Sequence, residues 1–93
     1  MGNSISDILT KLENADNKSK SVLENELVTI GSNAVPELVN NLSVVRGSVR
    51  GVIAMTLIRI GQPSIEFLKK AAMSNKELAW IAKYLITEIN LAA

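Results

Sequence analysis

Residues 27–31 read LVTIG and residues 57–61 read LIRIG, thirty residues apart. Each is followed by a short polar step and a second apolar stretch, SNAVPEL at 32–38 and QPSIEFL at 62–68. Widened towards the N-terminus, the doublet becomes SKSVLENELVTIG (19–31) and VRGVIAMTLIRIG (49–61), and a third, blurred copy is found in LAWIAKYLITEIN (78–90), at offsets of 30 and 29 residues. Four columns are apolar in all three copies: Val22/Val52/Ile81, Leu23/Ile53/Ala82, Leu27/Leu57/Ile86 and Ile30/Ile60/Ile89. The spacing i, i+1, i+5, i+8 makes one face of a helix. The closing column is Gly31/Gly61/Asn90. Glycine, and after it asparagine, is what a left-handed position just past a helix end accepts. Three unrelated amphipathic helices could share apolar columns by chance, but matching helix ends and a matching following step are hard to obtain that way.

The segments between these copies read as helices too. Ile5, Ile8, Leu9 and Leu12 fall at i, i+3, i+4, i+7, and Val35, Leu38, Val39 and Leu42 repeat the template. NADNKS separates the first helix from a second running from about Lys18 to Ile30. Asn33 is the expected N-cap of the third, with Pro36 in its first turn, where a missing N–H is tolerated. Residues 48–60 are apolar on almost every side and predict the central, most buried helix. Pro63 opens the next, with Ile65, Leu68 and Ala72 inward. Ser74 and Glu77 fit a capping box before the last helix, whose inner stripe is Leu78, Ile81, Ala82, Leu85 and Ile89. The expectation is six helices and no strands in a single domain of 93 residues, arranged as helix pairs at about 4–31, 33–61 and 63–90. Such a pair cannot bury its apolar face alone, and stacking pairs builds one continuous core. The predicted fold is all-α, a right-handed solenoid of about three antiparallel pairs.

Composition narrows the function classes. Nearly half of the residues are hydrophobic (47%), mean hydropathy is +0.22, and the only aromatics are Phe67, Trp80 and Tyr84, so the core must be aliphatic. Ten basic and nine acidic residues leave a net charge of +1, which argues against nucleic acid or an acidic membrane as a partner. There is no cysteine and no histidine, which removes disulfides, thiolate metal sites and the commonest general base. No apolar run approaches the roughly 20 residues of a membrane span. No basic and apolar leader pattern opens the chain, so a cytoplasmic location is expected. MGNSIS matches a short acylation pattern with Gly2 and Ser6 in register, but no polybasic companion follows. Its other reading, the start of the first helix with Ser4 as N-cap and Asp7 near the positive helix end, is preferred.

VRGVIAMTLIRIG resembles the second helix of a HEAT-like repeat, the short kind found in phycobilisome lyases and many small bacterial proteins. The resemblance rests on Val49, Arg50, Ala54, Leu57, Ile60 and Gly61, and on GQPSIEFLKKA as the turn and helix opening the next repeat. It covers about residues 17–90. The first copy departs from it at Lys20 and Glu24, and the last at Ala79. The aspartate usual before Val-Arg is absent from SVVRGS. Terminal repeats are expected to be atypical because they cap the stack. Some members attach or detach bilin chromophores as longer chains or paired subunits, so the resemblance implies at most an accessory-subunit role for a chain this short. Others hold damaged DNA, which needs a basic concave face that a near-neutral chain does not offer.

Chemistry-bearing residues are few. Glu24 and Glu26 flank Asn25 and point to different faces, and Glu77 is better explained as a cap. No phosphate loop, paired metal carboxylates or nucleophile elbow is present. The chain therefore reads as non-catalytic, with no cofactor and no metal. Candidate interface residues are Arg46 and Arg50, one helical turn apart, and Trp80, Lys83, Tyr84 and Glu88 on the last helix. At the arginine position of a HEAT-like repeat, Arg50 is expected to bond a turn carbonyl or carboxylate in a neighbouring repeat. The alternative is a basic patch with Arg46. Trp80 and Tyr84, i and i+4, either fold down as rim packing or form an exposed aromatic ridge, and aromatics are typical interface anchors. The expected function is a protein-interaction or scaffold module with a protein partner. A structural homo-oligomer such as a homodimer, and an accessory subunit of a lyase-like enzyme, remain open beside it.

Overall fold

Gly31 and Gly61 end α2 (Asn17–Ile30) and α4 (Gly47–Ile60), as their place at the close of the repeated stretches predicts. These elements belong to a computed structural model that describes residues 5–92. Gly2 and Ser4, on which the acylation and first-cap readings rest, lie outside the described residues. Both glycines have positive φ, 74° and 85°, and each N–H bonds the carbonyl four residues back, Leu27 and Leu57 respectively. Their ψ values, −139° and −137°, are not those of the left-handed helical basin. They lie near the combination of positive φ with extended ψ that is essentially reserved for glycine. Asparagine, tolerated in the left-handed basin, has no such licence here. Accordingly Asn90 does not stop the last helix. α6 runs Lys76–Ala92 straight through it, and no non-glycine residue among those described has positive φ.

The remaining elements are α1 (Ile5–Leu12), a 3₁₀ turn at Gly31–Ala34 that leads into α3 (Val35–Asn41), and α5 (Pro63–Ser74). Among the described residues all regular structure is helical. Away from these two glycines, the helix starts at α3 and α6 are closed by other groups than the sequence suggests. Asn33 falls inside the 3₁₀ turn and α3 has no side-chain cap, because the turn itself hands its carbonyls to the first amides of the helix. Ser74 does not form a capping box with Glu77. Its hydroxyl turns back to the Lys70 carbonyl (3.0 Å), while Asn75 Oδ1 accepts the Glu77 N–H (2.9 Å). Asp16 caps α2, its Oδ1 accepting the Ser19 N–H at 2.8 Å. That bond, the Ser19 hydroxyl and then the charge of Lys20 hold the Asp16 carboxyl below its ordinary pKa.

The core follows the aliphatic stripes. Ile8, Leu9 and Leu12 of α1 are buried, and so are Leu38, Val39 and Leu42, each thirty residues on. Leu23, Ile53 and Ala82 are buried, as are Leu27 and Leu57. Behind each glycine stop, three residues on, sits a small and fully buried side chain: Ala34 after Gly31, Ser64 after Gly61. Ser64 is admissible there because its hydroxyl donates to the Leu57 carbonyl at 3.0 Å. Thr56, also fully buried, bonds its own helix at the Val52 carbonyl (2.7 Å). One column departs from the expected inner face: Val22 is 55% exposed, because among the described residues no helix packs on that side of α2 as α4 packs on α6, while its counterpart Ile81 is buried.

α4 packs against both α2 and α6, and α3 packs against α5, with α1 on α2 and α5 along α6. An ion pair ties the first of these contacts, Arg59 of α4 reaching Glu24 (2.8 Å) and Asn25 (2.9 Å) of α2. Lys20 Nζ donates to the Ser48 hydroxyl at the start of α4 (2.9 Å). On α1, the Ser6 hydroxyl donates to Glu37 of α3 at 2.6 Å. α4 is central in these contacts but is not buried all round. Val49, Ile53, Thr56 and Leu57 point inward, while Met55 on the far side is half exposed. The radius of gyration, 12.3 Å, is that of a compact chain of this length.

Candidate functional site

α6 has two apolar faces, and only one of them meets the rest of the protein. Leu78, Ile81, Ala82, Leu85 and Ile89 are buried against α5 and α4. At 3.6 residues per turn, Trp80, Tyr84, Thr87 and Leu91 fall at i, i+4, i+7 and i+11 on the opposite side. Trp80 is 67% exposed, Tyr84 58% and Leu91 75%. The rim-packing reading of Trp80 and Tyr84 is thereby excluded, and the pair forms an exposed ridge. Lys83 and Glu88 flank the ridge on its two sides, Lys83 exposed and Glu88 half-buried. Among the described residues neither side chain makes an ion pair or hydrogen bond. The register of the repeat puts Tyr84 in the row of Met55 and Asn25, and Trp80 in the row of Gly51 and Ser21. All of these are exposed, on α4 and α2. The ridge therefore belongs to the outward face of α2, α4 and α6. The bare end of α6 is instead the side of Lys83, at the register position by which Glu24 of α2 meets α4.

Thr87 and Leu91 were not singled out by the sequence reading, which stopped at Glu88. The signal was present: a second stripe at i, i+4, i+7, i+11, opposite the first, apolar but for Thr87, whose hydroxyl donates to the Lys83 carbonyl of its own helix (2.9 Å). It is masked because Glu88, on the ridge's flank, continues the i, i+4 line from Tyr84.

The two arginines belong to a different place. Arg50, half-buried on α4, donates Nε to the Leu42 carbonyl at 2.9 Å and so closes the turn from α3 to α4. Arg46, at the N-terminal edge of α4, donates Nη1 to the carbonyls of Ser43 (3.3 Å) and Val45 (3.5 Å). Arg50 bonds a turn carbonyl as expected, but in the α3–α4 connection of its own helix pair and not in a neighbouring repeat. Both guanidinium groups are directed at backbone carbonyls in that turn. A shallow groove between α3 and α5, lined by Pro36, Val39, Phe67, Lys70, Ala71 and Leu78, is one of several depressions on the surface. In it the Lys70 ammonium lies 5.6 Å from the Phe67 ring centre. Among the described residues no three His, Cys, Asp or Glu side chains gather where they could hold a metal, and no helix is long and apolar enough to cross a membrane.

No protein-family model, curated protein or solved structure matches this chain. What the surface can do follows from its own chemistry. Two aromatic side chains on a rigid helix, with a leucine about two turns beyond Tyr84, offer apolar area whose burial against another surface is favourable at about 25 cal/mol per Å².

Proposed function

We propose that this chain is a non-catalytic protein-interaction module built as a short right-handed solenoid of HEAT-like repeats, six helices in three antiparallel pairs, acting in the cytoplasm. Its binding face is the outward side of α2, α4 and α6, with Trp80 and Tyr84 as anchors. The observation that carries the reading is the exposure of these two side chains, one turn apart on a helix whose other face is fully packed. Large aromatics offer much apolar area together with a polar tip, and they dominate interface energetics when covered. The pairwise order of contacts, α2 with α4, α4 with α6 and α3 with α5, supports the stacked arrangement. So does the thirty-residue spacing of the buried positions in α1 and α3.

The test is retention of proteins from the native host on the immobilised chain, compared with Trp80→Ala and Trp80→Ala/Tyr84→Ala. Proteins held by the native chain and lost from both variants, with melting temperatures within a few degrees of the original, are the expected result. Equal retention by all three chains would remove the aromatic ridge from the account.

A further inference from the structure

The outer face of α6 has the residue spacing of a helix–helix seam. Trp80, Tyr84, Thr87 and Leu91 alternate in spacings of four, three and four, which is the a/d pattern of a heptad with Tyr84 and Leu91 at a and Trp80 and Thr87 at d. In that frame Lys83 is a g residue and Glu88 is the e residue of the next heptad, five positions on. In a parallel pair, g of one helix meets e of the other at this separation of five. In an antiparallel pair, g meets g and e meets e. Two parallel copies of α6 therefore set Lys83 against Glu88 twice, by symmetry. Antiparallel copies set lysine facing lysine and glutamate facing glutamate. Among the described residues neither charge has a partner within the protomer. Met55, in Tyr84's row on the neighbouring α4 and half exposed, extends the apolar face on the Glu88 side.

The geometry points to a second copy of this chain as an occupant of the α6 face: a two-fold symmetric dimer with the α6 helices parallel, joined by the Trp80–Tyr84–Thr87–Leu91 seam and two Lys83–Glu88 ion pairs. This rests on the reading of the outward face as an interaction surface, and it names the partner by charge complementarity. Trp80 and Tyr84 together offer roughly 200–300 Å². With Leu91, Met55 and the stems of Lys83 and Glu88, the patch stays below the roughly 800 Å² per partner of a standard interface. The dimer is therefore weak and reversible, in the micromolar range or above.

Sedimentation over a series from micromolar to millimolar chain tests it, with circular dichroism to verify that each variant is folded. The native chain is expected to dimerise. Lys83→Glu and Glu88→Lys should each weaken dimerisation roughly tenfold, since each turns two attractions into two repulsions. The double variant K83E/E88K should regain the native level, and an equimolar mixture of the two single variants should associate more tightly than either alone. Because the chain has no cysteine, Thr87→Cys supplies a single thiol, which faces its own symmetry mate at a d position. Its oxidation should give a disulfide-linked dimer faster than Ser21→Cys on α2. A chain that stays monomeric at the highest concentration overturns the inference. So do single charge variants that associate like the native chain, or Thr87→Cys oxidising no faster than Ser21→Cys. None of these results touches the retention of other proteins by the ridge, which is measured separately.

Discussion

Replacing Gly61 by alanine and Gly51 by alanine should move stability in opposite directions, although both sites are open to a Cβ. At neither residue does an added Cβ meet any heavy atom within 4 Å, so packing is not what separates them. Gly61 has φ 85° and ψ −137° at the end of α4. A non-glycine residue held in such a conformation costs about 1–3 kcal/mol. Against this, removing a glycine restricts the unfolded chain and returns about 0.4–1 kcal/mol. The net loss for Gly61→Ala is roughly 1–2 kcal/mol, and at about 4–8 °C per kcal/mol for a domain of this size the melting temperature falls by roughly 5–15 °C. Gly51 lies inside α4, exposed and without positive φ. There alanine gains helix propensity, up to about 1 kcal/mol. Gly61→Asn is the sharper variant, because asparagine is tolerated in the left-handed basin and not near extended ψ. It should fall with Gly61→Ala. Thermal and urea unfolding followed by far-ultraviolet circular dichroism, with equal urea slopes confirming a common transition, gives the three values. A Gly61→Asn chain as stable as the original, or a Gly61→Ala chain more stable, would refute the conformational account of the repeated glycine.

Arg50→Met should lower stability by roughly 1–2 kcal/mol, the loss of a charge-assisted bond to the Leu42 carbonyl, and Arg50→Lys should not restore it, because lysine has no Nε donor at that reach. Retention of other proteins should be unchanged, and a variant as stable as the original with retention lost would return Arg50 to a docking patch. For Asp16, the folded carboxyl has a pKa below its ordinary value. Its cap therefore contributes fully above the ordinary carboxylate range and is lost as pH falls through the lowered folded value. Asp16→Ala should melt lower than the original at neutral pH, with the gap narrowing in acid. A gap that is constant across an acid titration would contradict the cap as the source.

The helices were legible because aliphatic residues at i, i+3, i+4, i+7 leave few other ways to bury themselves. Ile8, Leu9, Leu12, Leu38, Val39, Leu42 and the inner stripe of α6 all lie where that spacing puts them. The glycine stops were legible for the same reason that they repeat: two positions need a backbone that only glycine adopts. Helix ends without such a constraint were not. Asn33, Ser74 and Asn90 each carry a side chain suited to a cap. Whether one is used depends on neighbouring carbonyls and on how far the helix finds packing, and α6 has packing to spare through Ile89. The site was half legible. Nothing in the spacing of Trp80 and Tyr84 tells an outer stripe from an inner one, since both have helical period. Only the completed burial of the opposite stripe decides it, and with it the roles of Thr87 and Leu91.

Trp80 is the only tryptophan in the chain, so its fluorescence reports on the ridge alone. Quenching of that emission by iodide, in dilute chain and again with a retained partner or at dimerising concentration, tests the claim that the α6 ridge is an open binding face. The account expects strong quenching in the dilute chain and marked protection once the face is covered. A Trp80 already shielded in the dilute monomer, or one equally quenched when the partner is saturating, would contradict it.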